Sequence, residues 1–116
     1  MKPNSVHKYA TLKGELVRSL SEKYIADFFF THRVQYQYEM TLVLDGHKLI
    51  PDFYLPQYNL YVEFWGKLDD PAYFRSFRMK TDLYKAHGIK FIALQDNDLP
   101  TLDKNFEIKL KLALKS

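Results

Sequence analysis

Two short apolar segments, each interrupted by a single acid, constrain this chain more than anything else in it. The first reads Leu49-Ile50-Pro51-Asp52-Phe53-Tyr54-Leu55 and the second Leu60-Tyr61-Val62-Glu63-Phe64-Trp65, with residues 56–59 between them. Both have the β-branched and aromatic composition of strands, and the Pro and Asn of the intervening segment are turn residues. A hairpin centred between Gln57 and Tyr58 sets residue 52 opposite residue 63. Opposite residues of an antiparallel pair project from one face, with Cβ atoms about 4.5–5.5 Å apart. The two carboxylates then repel each other unless a cation sits between them. A register shifted by one residue would send them to opposite faces and dissolve the pair.

The rest of the sequence supplies the frame for such a hairpin. Residues 1–12 show no period and read as a loosely held arm. Residues 14–32 have helical spacing, with Leu16, Leu20, Tyr24 and Phe28 on one row and Ile25 and Phe29 on the next. Residues 34–44 alternate as a strand, Asp45-Gly46 is a hairpin turn, and a second strand covers residues 47–54. The third strand is 60–65. After a polar loop over 66–71, Pro71 opens a helix that runs to His87 and stops at Gly88. Residues 89–94 form a short apolar strand, and a loop with Asp96, Asn97 and Asp98 leads to a lysine-bearing helix over 103–114. The order is helix, three antiparallel strands, helix, strand, helix: one α/β domain over 1–116, with a mixed sheet flanked by helices.

Composition narrows the chemistry. With no cysteine among 116 residues, disulfides and thiolate sites are excluded, and a metal would need oxygen or imidazole ligands. No apolar run reaches membrane-spanning length and the N-terminus lacks the apolar stretch of a signal peptide, so the expectation is a soluble cytoplasmic protein without a membrane partner. The net charge of +3 and pI near 9.0 place a basic exterior around whatever acids cluster, an arrangement suited to a polyanion.

Two further residues bear on the acidic pair. Ser19-Leu20-Ser21-Glu22 fits a capping box, in which Ser19 caps the first helix and Glu22 returns the bond; alternatively Glu22 leans over the sheet and joins Asp52 and Glu63. On the second helix, Ala72, Tyr73, Ser76, Phe77, Met79, Leu83, Tyr84 and Ala86 share a broad arc that also contains Lys80. An ammonium there either snorkels to water or finds an anion, and the acids on the adjoining sheet are specific partners. If the Lys80 ammonium reaches the Asp52–Glu63 pair, Lys80→Met, which keeps the stem's length and apolar packing, should preserve or raise stability.

The ordered set Ser21-Glu22-x-x-Ile25-Ala26-Asp27, Tyr38-Glu39, Pro51-Asp52-Phe53-Tyr54-Leu55-Pro56, Val62-Glu63-Phe64-Trp65-Gly66 and Lys80-x-x-x-Tyr84 resembles the PD-(D/E)XK nuclease superfamily, in particular its compact stand-alone and helicase-associated domains. The match spans about residues 19–99. The resemblance implies an αβββαβ restriction-endonuclease-like core over about 14–99, followed by a C-terminal helix. It also implies Mg²⁺- or Mn²⁺-dependent hydrolysis of phosphodiester bonds in DNA, with RNA an open second substrate. Asp52 and Glu63 match the metal-holding acids, the backbone carbonyl of Phe64 a further ligand, and Glu22 an additional helix-borne acid acting directly or through water. Trp65 stands where the motif lysine would be, and Lys80 is the migrated lysine. Tyr84, Lys67, Arg75 and Arg78 are candidate substrate contacts, with Arg33 a further basic candidate. Action as a homodimer or with a helicase or repair complex fits such domains. The rival reading is a nucleic-acid-binding module that keeps this fold without catalysis.

Overall fold

The computed structural model describes residues 6–67 and 69–115. In chain order its elements are β1 (Tyr9–Ala10), β2 (Leu16–Val17), α1 (Leu20–Thr31), β3 (Gln37–Tyr38), β4 (Leu42–Leu44), β5 (His47–Leu49), β6 (Phe53–Leu55), β7 (Leu60–Phe64), α2 (Pro71–Ala86), β8 (Phe91–Leu94), a 3-10 helix (Asp96–Thr101) and α3 (Leu102–Lys115). The central sheet is four-stranded, in the order β3-β6-β7-β8. Its first three strands pair antiparallel, and β8 returns parallel to β7 through α2. The result is an α/β domain with a mixed sheet and, among the described residues, three α-helices.

Turn chemistry accounts for much of this arrangement. Asp45 and Gly46 both take positive φ, 50° and 74°, the two-residue turn that Asp-Gly favours. They join β4 to β5, with Leu44 opposite His47. The pairing of Tyr38 with Phe53 and Gln37 with Tyr54 continues the same register. One long hairpin is therefore interrupted midway, and β4–β5 stands apart as a two-stranded arm.

The interruption corrects the expectation of continuous strands over 34–44 and 47–54. Glu39 has φ 54°, outside the strand region for a non-glycine residue, and Pro51 has no N–H for the ladder. Residues 14–19 are not helical either. Gly14, at φ 113°, turns the chain between β1 and β2, and the helix starts only where Ser19 Oγ accepts the Glu22 N–H at 3.1 Å. Of the expected N-terminal arm, residues 1–5 lie outside the described residues, while Tyr9 and Ala10 are paired with Val17 and Leu16.

Alternation along β7 divides the molecule. Leu60, Val62 and Phe64 face a core shared with Ile25 and Phe29 of α1, Phe53 and Leu55 of β6, Ile92 and Leu94 of β8, and Leu102 and Phe106 of α3. Phe29 is its hub, with ring centroids 5.5 Å from Phe53 and 5.3 Å from Phe106. Tyr61, Glu63 and Trp65 face α2 instead. There the contact stripe is Tyr73, Phe77, Lys80 and Tyr84, spaced four, three and four residues apart. The stripe is narrower than the expected arc: Ala72, Met79 and Ala86 are exposed, while Thr81 is buried. Lys80 is thus at the centre of the packed face.

What aims α2 is its first turn. Pro71 occupies the opening position, and Asp70 caps it by accepting the N–H groups of Ala72 and Tyr73 at 3.0 and 3.4 Å. Replacing this cap, Asp70→Ala, should cost about 1 kcal/mol in urea unfolding, with the slope of the transition unchanged.

Candidate active site

The site begins as a gap in the sheet's hydrogen bonding. In β7 the N–H groups of Tyr61 and Trp65 donate to the carbonyls of Lys90 and Leu94 at 3.0 and 2.8 Å. Backbone direction alternates along a strand, so the N–H and carbonyl of Phe64 point the other way, towards β6. The β6–β7 register, continued past Phe53 and Val62, places Asp52 opposite Glu63 and Pro51 opposite Phe64. Proline offers no donor to the Phe64 carbonyl. The Phe64 N–H, left without a strand acceptor, donates to Asp52 Oδ2 at 2.6 Å. The hairpin register read from the sequence therefore holds, although Asp52 lies at the bend just before β6 rather than inside a strand.

Glu63 is 1% exposed and Asp52 4%. A carboxylate this deep needs charge compensation and hydrogen bonds, and α2 supplies both. Lys80 Nζ lies 3.0 Å from Glu63 Oε1 and 2.9 Å from Oε2. It also donates to the Ile50 carbonyl at 3.0 Å, a group in the interrupted stretch of the hairpin. Tyr84 donates its hydroxyl to Glu63 Oε2 at 2.5 Å. Above the ammonium lies the Trp65 ring, 5.6 Å from Nζ, itself wedged edge-on against Tyr73 and Phe77 with centroids 5.3 and 4.8 Å away. The cation demanded by two facing carboxylates is thus supplied, for Glu63, by the chain itself.

Glu22 approaches from α1. Its Oε1 accepts the Tyr38 hydroxyl at 2.7 Å and the Arg18 N–H at 3.1 Å. Ser19 caps α1, while the Glu22 carboxylate accepts from the N–H of Arg18, one residue before the cap, and from Tyr38 at the sheet edge. Glu22, Glu63 and Asp96 all act on the Tyr73 hydroxyl. That hydroxyl is pushed above the ordinary tyrosine value chiefly by burial, with contact to the Gly66 backbone opposing and the three carboxylates adding to the rise. Glu22 of α1 and Glu63 of β7 are thus both felt at the Tyr73 hydroxyl.

Of the residues singled out from the sequence, Asp52, Glu63 and Lys80 come together. Tyr84 is a correction: expected to meet substrate, it is fully buried and serves Glu63 from behind. Lys67, Arg75 and Arg78 are exposed, as is Arg33; the Arg78 guanidinium rests 6.0 Å from the Phe74 ring. Tyr38 and Tyr73 were named from the sequence, one in the resemblance and one on the Lys80 arc, but neither was assigned to the site. The signal for Tyr73 was its place on the Lys80 stripe, two turns earlier. Among the described residues, no three His, Cys, Asp or Glu side chains gather into a cage for a metal. The oxygen donors where β6 meets β7 are the carboxylates of Asp52 and Glu63 and the Phe64 carbonyl. That set fits a hard ion such as Mg²⁺, which is usually held by one or two carboxylates and keeps several waters. No known protein family, curated protein or solved structure matches this chain.

The geometry reverses the expected outcome for Lys80. Lys80→Met leaves Glu63 buried without its cation, so thermal or urea unfolding should show a loss of about 3 kcal/mol or more. Lys80→Met combined with Glu63→Gln should cost less than the sum of the single changes.

A second outcome concerns alkaline pH. Burial, then the charge and hydrogen bond of Glu63, hold the Tyr84 hydroxyl well above its ordinary 10.0. Tyr38 is raised by burial and by Glu22, and Tyr36 by burial. The unfolded chain releases these protons near pH 10 while the folded one retains them, so the native state binds more protons there. The tyrosines' contribution to stability should be complete below pH 10 and be lost as pH rises beyond it. Tyr84→Phe should reduce that loss in urea titrations at pH 9 to 11.

Proposed function

We propose that this domain is a Mg²⁺- or Mn²⁺-dependent nuclease with a restriction-endonuclease-like core, hydrolysing phosphodiester bonds of DNA. The single observation that carries the reading is the buried, in-register pair Asp52 and Glu63, with Lys80 reaching it from the following helix. A bound divalent ion would acidify water and offset charge on the scissile phosphate. Asp52 and Glu63 would hold that ion, with the Phe64 carbonyl beside them. The Phe64 N–H keeps the Asp52 carboxylate turned into the site, and Tyr84 does the same for Glu63. Lys80 brings a positive charge to the position where the phosphoryl oxygens gain negative charge. Glu22, held by the Tyr38 hydroxyl and the Arg18 N–H, would orient the attacking water. Exposed Lys67, Arg75 and Arg78 supply phosphate contacts around the acidic centre. Work in the cytoplasm, as a homodimer or beside a helicase or repair complex, is part of the same proposal.

One observation favours the second reading, a nucleic-acid-binding module without catalysis: both oxygens of Glu63 are engaged by Lys80 and Tyr84. Incubation with single-stranded, duplex and branched DNA in Mg²⁺, Mn²⁺ or EDTA separates the two. The nuclease should cleave at least one of these only with metal, and Asp52→Asn or Glu63→Gln should lower the rate by about 10²-fold or more. Glu22→Gln should slow cleavage by about tenfold while leaving stability within about 1 kcal/mol, because the amide still accepts both of its hydrogen bonds. DNA binding with no cleavage under any metal condition would favour the binding module.

A further inference from the structure

The ammonium of Lys80 and a divalent ion compete for the same two oxygens. Glu63 Oε2 already accepts from both Tyr84 and Lys80, and Oε1 faces Lys80 as well. A carboxylate oxygen has two lone pairs, and a Mg²⁺ ligand must approach to about 2.1 Å. An ion placed against Glu63 would thus meet the ammonium within a few ångströms, in surroundings of low polarisability where like charges repel strongly. Lys80 nevertheless has somewhere to go. Its Nζ is also bonded to the neutral Ile50 carbonyl at 3.0 Å and lies 5.6 Å from the Trp65 ring, within the range of a cation–π contact. Trp65 is 7% exposed, and its indole N–H has no hydrogen-bond partner among the described residues. The ring is therefore held by packing against Tyr73 and Phe77 rather than by a bond of its own.

We propose that Lys80 is a resident counter-cation that occupies Glu63 until a divalent ion displaces it onto the Ile50 carbonyl and the face of Trp65. Lys80 then sets how tightly the site takes its metal, apart from any part it plays in hydrolysis. The inference rests on the metal role given to Asp52 and Glu63 above. Without a metal the pair keeps a buried carboxylate neutralised; with one, the freed ammonium stays at the site, moved by a rotation of its own stem.

Calorimetric titration with Mg²⁺ tests the exchange without any substrate. Lys80→Gln, which removes the charge but keeps a polar end, and Lys80→Met should each bind Mg²⁺ at least about fivefold more tightly than the wild type, the lower end of ordinary coupling between two ligands. Trp65 is the sole tryptophan of the chain, so its emission reports the ammonium's movement directly. In the wild type Mg²⁺ should change that emission with the half-saturation seen by calorimetry, and Asp52→Asn should abolish both signals. Unaltered affinity in the folded Lys80 variants overturns the exchange, as does Asp52-dependent Mg²⁺ binding with no change in Trp65 emission. If neither variant folds, the wild-type emission decides. If wild type and Lys80→Gln both bind no Mg²⁺, the metal role of Asp52 and Glu63 falls first, and the exchange with it.

Discussion

The buried pair of Glu63 and Lys80 is the contact on which the arrangement of layers depends. It ties the middle of the sheet to the middle of α2 and fixes which face of that helix looks inward. Two ions of opposite sign, removed from water, contribute little net stability, and an apolar pair of similar volume often does as well or better. The cost of breaking one side only is another matter, since the survivor is a bare charge in a closed space. Such a pair specifies geometry more than it strengthens the fold. Here it sets the rotation of α2 so that Tyr73, Phe77 and Tyr84 follow Lys80 onto the sheet.

Stability is supplied from the opposite face. Phe29, Phe53 and Phe106, with Ile25, Leu55, Leu60, Val62 and Leu94, form the apolar core beneath α1 and α3. Aromatic rings in edge-to-face contact add specific attraction to the area they bury. Because β7 alternates, one strand serves both purposes: its even-numbered residues hold the fold together and its odd-numbered ones carry charge and hydroxyls. A polar cluster is tolerable on one face because the other is so well filled.

Local signals carried much of this in the sequence. The register of Asp52 against Glu63 followed from the length and chemistry of a four-residue turn, the Asp45-Gly46 hairpin rests on positive φ at both residues, and Pro71 marked the start of α2. The break at Glu39 was not legible, because positive φ at a glutamate depends on its surroundings: its N–H bonds the Asp52 carbonyl and its carboxylate meets His7 and Arg18. The hairpin of β1 and β2 was hidden by apolar residues that happen to fit a helical row. In the site, Lys80 betrayed itself as a charge amid apolar neighbours, whereas Tyr38 and Tyr73 looked like two more members of an aromatic-rich core. Buried tyrosines disclose a polar duty only when the partner of the hydroxyl is known.

The interrupted hairpin has one more consequence. Its inner half, β3 and β6, belongs to the central sheet, while its outer half, β4 and β5, continues in unchanged register past Glu39 and Pro51 and lays Leu44 and Leu49 on Tyr84 of α2. Adding or removing a pair of residues on each side of the Asp45-Gly46 tip would preserve that register and the facing of every side chain below it. The arm is tied down all the same: Leu44 and Leu49 pack on Tyr84, whose hydroxyl holds Glu63, and Asp45 at the tip lies 3.0 Å from His87 at the end of α2. A change at the arm's leucines would therefore reach the Glu63 carboxylate through the tyrosine that they cover.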